Sequence, residues 1–258
     1  LYTILLDYGI EVYLVNAYHV KNVPGRKSDV SDCRWLQHLH TLGMLRSCYQ
    51  PDNITRSLRN YVRLRKSFIK QMSTETLRMQ KALEQMNIKL NNVIRDITGK
   101  TGMAIISKIL QGETDAHVLV KYRDGRIKAS KETLLKSLEG NWREEQLFNL
   151  KMAFEDYHFF HSQLNKCDHE CEKTIQRMQE ASVPQKQIKP LPARKNQPGF
   201  NVAQCLYNSL GVDVTQIYGL KQTTALAVFS ETGPDLKSKF PQQKQFLSWL
   251  NLVPDNKI

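Results

Sequence analysis

Taken in alternating steps of four and three, the segment from Leu58 reads Leu58, Val62, Arg65, Ile69, Met72, Thr76, Met79, Leu83, Met86 and Leu90. Eight of these ten positions are apolar, which is the stripe of an α-helix held over four heptads. A second series runs Leu147, Leu150, Phe154, Tyr157, His161, Leu164, Asp168, Cys171, Ile175 and Met178, again with eight fitting members of ten. A solitary helix carrying such a seam exposes more contiguous apolar surface than monomers tolerate, so each seam requires a partner. The polar interruptions choose it: in an antiparallel hairpin Arg65 comes near Asp168 and each offsets the other's burial. The expectation is an intramolecular coiled-coil arm, with dimerisation secondary and built on its exposed flank.

The rest of the chain fits around that arm. Residues 1–8 read as a helix closed by Gly9, and EVYLVNA (11–17) reads as a short buried strand. Pro24 and Gly25 break the following loop, after which Ser28 is placed to cap a helix through about Leu42, stopped by Gly43. Helix, strand, loop and helix in that order suit the edge of an α/β sheet domain. Residues 181–200 hold four prolines and little apolar content, the composition of a linker. Residues 201–258 read as a small helical unit with turns at Gly211, Gly219 and Gly233. The expected fold is mainly α with a small α/β part, divided at 1–48, 49–180, 181–200 and 201–258.

Charge narrows the partners. The 258 residues carry 37 Lys plus Arg against 25 Asp plus Glu, a net +12. The excess is concentrated: residues 44–100 hold twelve basic and four acidic side chains. Such a field attracts polyanions, nucleic acid first. Within it Arg56, Arg59, Arg63, Lys66 and Lys70 follow the same stepping as the apolar seam, offset by about a third of a turn and spanning about 21 Å if helical. No acid interrupts them between Asp52 and Glu75, so they are nucleic-acid-binding candidates as well as a solvated helix face. Five scattered cysteines suit a reducing cytoplasm and not a disulfide framework. The apolar opening LYTILLDYGIEVYLV is broken by Asp7 and Glu11 and is too short to span a bilayer. There is no initiator methionine, and the chain starts inside what reads as a helix, so a fragment cut at both ends is expected.

Asp29 and Asp32 stand three residues apart behind Arg26 and Lys27. On a helix they share a face with Cβ atoms about 5–6 Å apart. First-turn acids ordinarily complement the helix dipole, worth about 0.3–1 kcal/mol. Clustered carboxylates beside cations are also what a hard divalent ion and a phosphoryl substrate need. Other motifs fail on inspection. TGKTG (98–102) lacks the first glycine of a phosphate loop, since Ile94 stands there. Cys167, His169 and Cys171 have no second ligand pair nearby for zinc.

The stretch LVNAYHVKNVPGRKSDVSDCRWLQHLHTLGML resembles the second half of the RuvC-like domain of the DEDD insertion-sequence transposases, a bridge-RNA-guided family of DNA recombinases. The resemblance continues through LRMQKALEQMNIKLNNVI and returns in GVDVTQIYGLKQTTALAVFSETGPD and FPQQKQFLSWLNLVPDNKI. It implies a partial RNase H-like domain, the coiled-coil arm and a small helical C-terminal domain. It implies that Asp29 and Asp32 are the last two metal carboxylates of a D-E-D-D set, binding Mg²⁺, with Arg26 and Lys27 beside the scissile phosphate or guide RNA. The family's other two acids precede this chain's start and its nucleophilic serine follows the Asn-Lys-Ile on which the chain stops. The implied activity is phosphodiester cleavage and joining in DNA transposition. The implied partners are DNA, a structured guide RNA and further copies of the chain, in the bacterial cytoplasm at the nucleoid, with no membrane. GLKQTTALAV (219–228) resembles the turn of a helix-hairpin-helix-like element, with Lys221 where the family has a second glycine. A plain helix start is the competing reading. Two other functions remain open at this level: a RuvC-like structure-specific nuclease, and a non-catalytic nucleic-acid-binding remnant of a mobile element.

Overall fold

The computed structural model describes residues 1–20, 29–179, 186–192 and 194–252, in two compact units, Leu1–Asp52 and Asn53–Ile258. In the first unit, α1 (Tyr2–Asp7) and α2 (Ala17–Val20) precede α3 (Asp29–Thr41). Helix α3 ends at Gly43, where φ is 64°, a value that strains any residue with a Cβ. There Gly43 N donates to His40 O and Met44 N to Leu39 O, satisfying carbonyls that the helix leaves open. Trp35 Nε1 donates to Val20 O at 3.0 Å, and the Tyr13 ring meets His40 edge-on at 5.4 Å. The proposed cap Ser28 lies outside the described residues, as do Arg26 and Lys27.

The strand expected over 11–17 does not form. Residues 11–16 carry no regular secondary structure, Ala17 opens α2, and no strand occurs among the described residues. The small α/β part is therefore not seen. A strand needs a second strand to receive its N–H and C=O groups. Here Leu14 O accepts from Cys48 N at 2.7 Å, and no ladder continues from that bond among the described residues. Leu39 is the buried apolar side chain of α3, while Val30, Leu36 and Leu42 stay exposed.

The second unit is built on two 33-residue helices. The chain forms α4 (Asn53–Gln85), then α5 (Leu90–Val93), α6 (Lys100–Leu110), α7 (Ala116–Leu119) and α8 (Lys131–Ser137), and returns through α9 (Glu144–Gln176). A non-helical segment leads to α10 (Val202–Leu210), α11 (Gln222–Thr232), α12 (Leu236–Lys239) and α13 (Gln243–Trp249). Helices α4 and α9 pack antiparallel. Arg65 meets Asp168, Phe68 stacks on Phe160 with ring centroids 6.4 Å apart, and farther along Ala82 and Gln85 face Gln146 and Asn149 across a shallow cleft. The intramolecular hairpin read from the seams is thus the observed pairing.

Each end of the helix pair has its own core. At one end Met79, Leu83 and Leu150 join Ile105 and Ile106 of α6 and Leu134 of α8. At the other, Leu58 joins Cys171 and Ile175 of α9, Leu206 of α10 and Leu226 and Phe229 of α11. Most of these side chains are almost completely buried, each stabilising the fold by about 1.5–3 kcal/mol relative to exposure. The seams stop short of the expected range. Asn87 takes φ 59° just past the end of α4, so Met86 and Leu90 leave the helix and enter the first core with Ile88. His161, counted in the second seam, is exposed. A strict seven-residue step drifts by about 20° per heptad around an ordinary helix, so a long series rotates off the contact face.

The segment expected to be a linker is tied down wherever it is described. Ile188 N donates to Gln204 Oε1 at 2.7 Å, and Asn201 Nδ2 to Ile188 O at 3.0 Å. Lys195 Nζ reaches Asp96 Oδ2 at 2.7 Å and Thr98 Oγ1 at 2.6 Å. Burial pushes the Asp96 carboxyl up, but the bonds from Lys195 and Thr98 outweigh it and hold the group below its ordinary value. Helices α10 and α11 share a core with the arm as a consequence.

Candidate nucleic-acid interface

The amphipathic pattern of α4 decides what its basic residues can do. Arg65 sits on the seam and is buried, its side chain 6% exposed, as is that of Asp168. Arg65 Nε donates to Asp168 Oδ1 at 2.5 Å and Nη2 donates to Asn196 O at 2.9 Å, while Gly199 N donates to Asp168 Oδ2 at 2.9 Å. Backbone groups of residues 196–199 thereby complete the pair and lay this strap along α4. The offset stripe lies one step around the helix, on the flank that the strap and α11 leave open.

A groove of about 700 Å³ runs there, between α4, residues 194–197 and the face of α11. Six cations line it, Arg63, Arg65, Lys66, Arg194, Lys195 and Lys221, against the single acid Glu231. Three of the six are already matched: Arg65 by Asp168, Lys195 by Asp96 and Arg63 by Glu231. Among the described residues Lys66, Arg194 and Lys221 have no carboxylate within ion-pair distance. The surplus charge therefore faces the opening. Ordered cations along a concave, solvent-filled wall attract a phosphate backbone without reading its bases.

Two members of the predicted stripe have a partner that the sequence did not reveal. Glu231, in the last turn of α11, takes Arg59 Nε on Oε2 at 2.8 Å and Arg63 Nη2 on Oε1 at 2.9 Å, and its backbone carbonyl accepts from Arg59 Nη2 at 2.9 Å. Arg56 donates to Asn53 Oδ1 at the start of α4. Lys66 and Lys70 are exposed. Glu231 lies 168 residues from Arg63, and nothing in the local pattern around it marks it as part of the groove. Lys221 was visible as a departure from a glycine; the structure makes it the residue before α11, in extended conformation with no side-chain cap. Thr223 and Thr224 of the first turn line the groove beside it.

The aspartates have a different setting. Asp29 and Asp32 occupy the first turn of α3 and both are exposed. Among the described residues no group of three His, Cys, Asp or Glu side chains is placed to hold a metal ion. Two carboxylates on one helical turn fit as part of a Mg²⁺ shell, which takes about six oxygens, and do not complete one. Cys167 and Cys171 are buried in the second core, whereas His169 is exposed. Burial pushes the Cys205 thiol up to about 11, so this neighbour in the same core stays protonated and acts as an apolar packing group.

Among the described residues no helix is long and apolar enough to cross a membrane. Neither a curated protein nor a solved structure matches the chain. The sequence model of the DEDD transposases of the IS110 type, described as a transposase, matches residues 1–88. That range takes in the paired aspartates, all of α4 and the whole basic stripe, and stops before α9 and the α11 side of the groove. Residues 1–88 of this chain belong to the DEDD transposase family of insertion sequences.

Proposed function

We propose that the chain is part of a DNA transposase and that the α4–α11 groove is where its second unit holds nucleic acid. The observation that carries this reading is the set of six groove cations opposed by one acid, three of them without a carboxylate partner among the described residues. Lys66, Arg194 and Lys221 take successive backbone phosphates, and Lys70 extends the track along α4. Contacts of this kind fix register and supply affinity, leaving base selection to other elements. A structured guide RNA and target DNA both present this chemistry, and a chain of the family pairs with further copies of itself. Asp29 and Asp32 are this chain's contribution to a Mg²⁺ shell of a RuvC-like, RNase H-related domain, to which further oxygen donors must be added. Bound there, the ion neutralises charge on a phosphodiester during strand cleavage and joining. The residues of this chain have two tasks: holding the strand in the groove, and presenting two carboxylates from one rigid helical turn.

The test is salt dependence. Lys66→Glu, Lys70→Glu and Lys221→Glu together are expected to flatten the slope of log K against log salt by about 0.9 per lost phosphate contact on duplex DNA. All three side chains are exposed, so the fold is expected to survive, with an unchanged circular dichroism spectrum as the check. An unaltered slope assigns the charge to solubility and refutes the reading.

A further inference from the structure

We infer that the Glu231 carboxylate is a resident stand-in for a nucleic-acid phosphate, and that a backbone phosphodiester displaces it from Arg59 and Arg63 on binding. This rests on the groove being the nucleic-acid site. Glu231 is the one acid lining a wall of cations, and it accepts from two arginines at once, with Arg63 contributing both Nε and Nη2. A carboxylate and a phosphodiester present the same pair of oxygens to a guanidinium fork, so one substitutes for the other without rearranging the donors.

Accessibility separates this cluster from the other arginine–carboxylate pair in the same unit. Arg65 and Asp168 are each 6% exposed and are closed over by the strap backbone. Glu231 is 29% exposed and Arg63 63%, so a ligand in the groove reaches them from solvent. Arg59 also donates to the Glu231 backbone carbonyl, which holds its guanidinium in place when the carboxylate swings away. Exchange of one anion for another never leaves either arginine unpaired in a partly buried site. The consequence is selectivity: a single small anion must compete with a tethered carboxylate. A strand engages Lys66, Arg194 and Lys221 at the same time and prevails.

The experiment uses the full chain and a short duplex oligonucleotide of mixed sequence, with binding followed by fluorescence anisotropy over a salt series. Glu231→Gln keeps shape and a hydrogen-bond acceptor while removing the competing charge. It is expected to bind more tightly than the native chain and with a slope steeper by about 0.9 for each phosphate newly engaged. Arg63→Ala in the Glu231→Gln background is expected to cancel that gain. Glu170→Gln, the same charge change on the exposed face of α9, is expected to leave the slope alone. Should Glu231→Gln fold poorly, Glu231→Asp shortens the reach by one methylene and is expected to move the slope in the same direction. If the native chain binds but Glu231→Gln leaves its slope unchanged, or Glu170→Gln reproduces the gain, this inference is overturned alone. If neither the native chain nor Glu231→Gln shows salt-dependent binding, the groove reading falls with it.

Discussion

Removing the carboxylate of Asp168 isolates what binds the strap to the arm. In Asp168→Ala the Arg65 guanidinium keeps only its bond to Asn196 O, and Gly199 N loses its acceptor, both in a site where the side chains are 6% exposed. Breaking one partner of a buried pair costs about 3–5 kcal/mol, because the remaining charge stays desolvated. The double variant Arg65→Met, Asp168→Leu removes both charges and restores apolar volume. Its cost is expected to be confined to the stranded Asn196 O and Gly199 N, about 0.5–1.5 kcal/mol for each lost bond. The double variant should therefore be more stable than Asp168→Ala, reversing the usual order of single and double substitutions. Urea unfolding gives the stabilities, and hydrogen exchange at the Gly199 amide reports the strap directly. Two results refute the reasoning: a cost below about 1 kcal/mol for Asp168→Ala with Gly199 still protected, or a double variant less stable than the single one.

Two further outcomes follow from the same geometry. A Cβ at Gly140 meets Met86 O at 2.5 Å and Ile88 Cγ1 at 2.6 Å, so Gly140→Ala is expected to destabilise by about 1–3 kcal/mol in urea, whereas Gly125→Ala, with open space around it, should change little. The Asp96 carboxyl is held below its ordinary value, so its bond to Lys195 adds stability above the unfolded carboxylate's value near 3.8 and loses it as pH falls through the folded value. The difference in urea midpoint between the native chain and Asp96→Asn is expected to be full at neutral pH and to shrink toward zero in acid; a difference that persists there contradicts the assignment.

Local pattern determined a good deal of this protein. The 4-3 stepping of Leu58, Met72, Met79 and Leu83, and of Leu150, Tyr157 and Cys171, specifies two helices that bury one face. The misfit of Arg65 and Asp168 on those faces was enough to orient them antiparallel, since two buried charges are tolerable only together. Gly43 ended α3 where it was expected to, because a left-handed residue closes a helix regardless of what surrounds it. The family signature around Asp29 and Asp32 was legible for the same reason, being contiguous in the chain.

Tertiary structure decided the rest. Residues 11–17 have strand-like composition, yet strand is a pairwise state and the described residues supply no partner. The proline-rich segment has the composition of a linker, but Arg65 and Asp168 needed two more hydrogen bonds and took them from Asn196 and Gly199. The groove was the least predictable feature. Arg59 and Arg63 appeared free because their counter-charge, Glu231, comes from a helix 168 residues away. Helical periodicity says which face a side chain lies on, whereas the neighbour across that face is set only when α11 docks on α4.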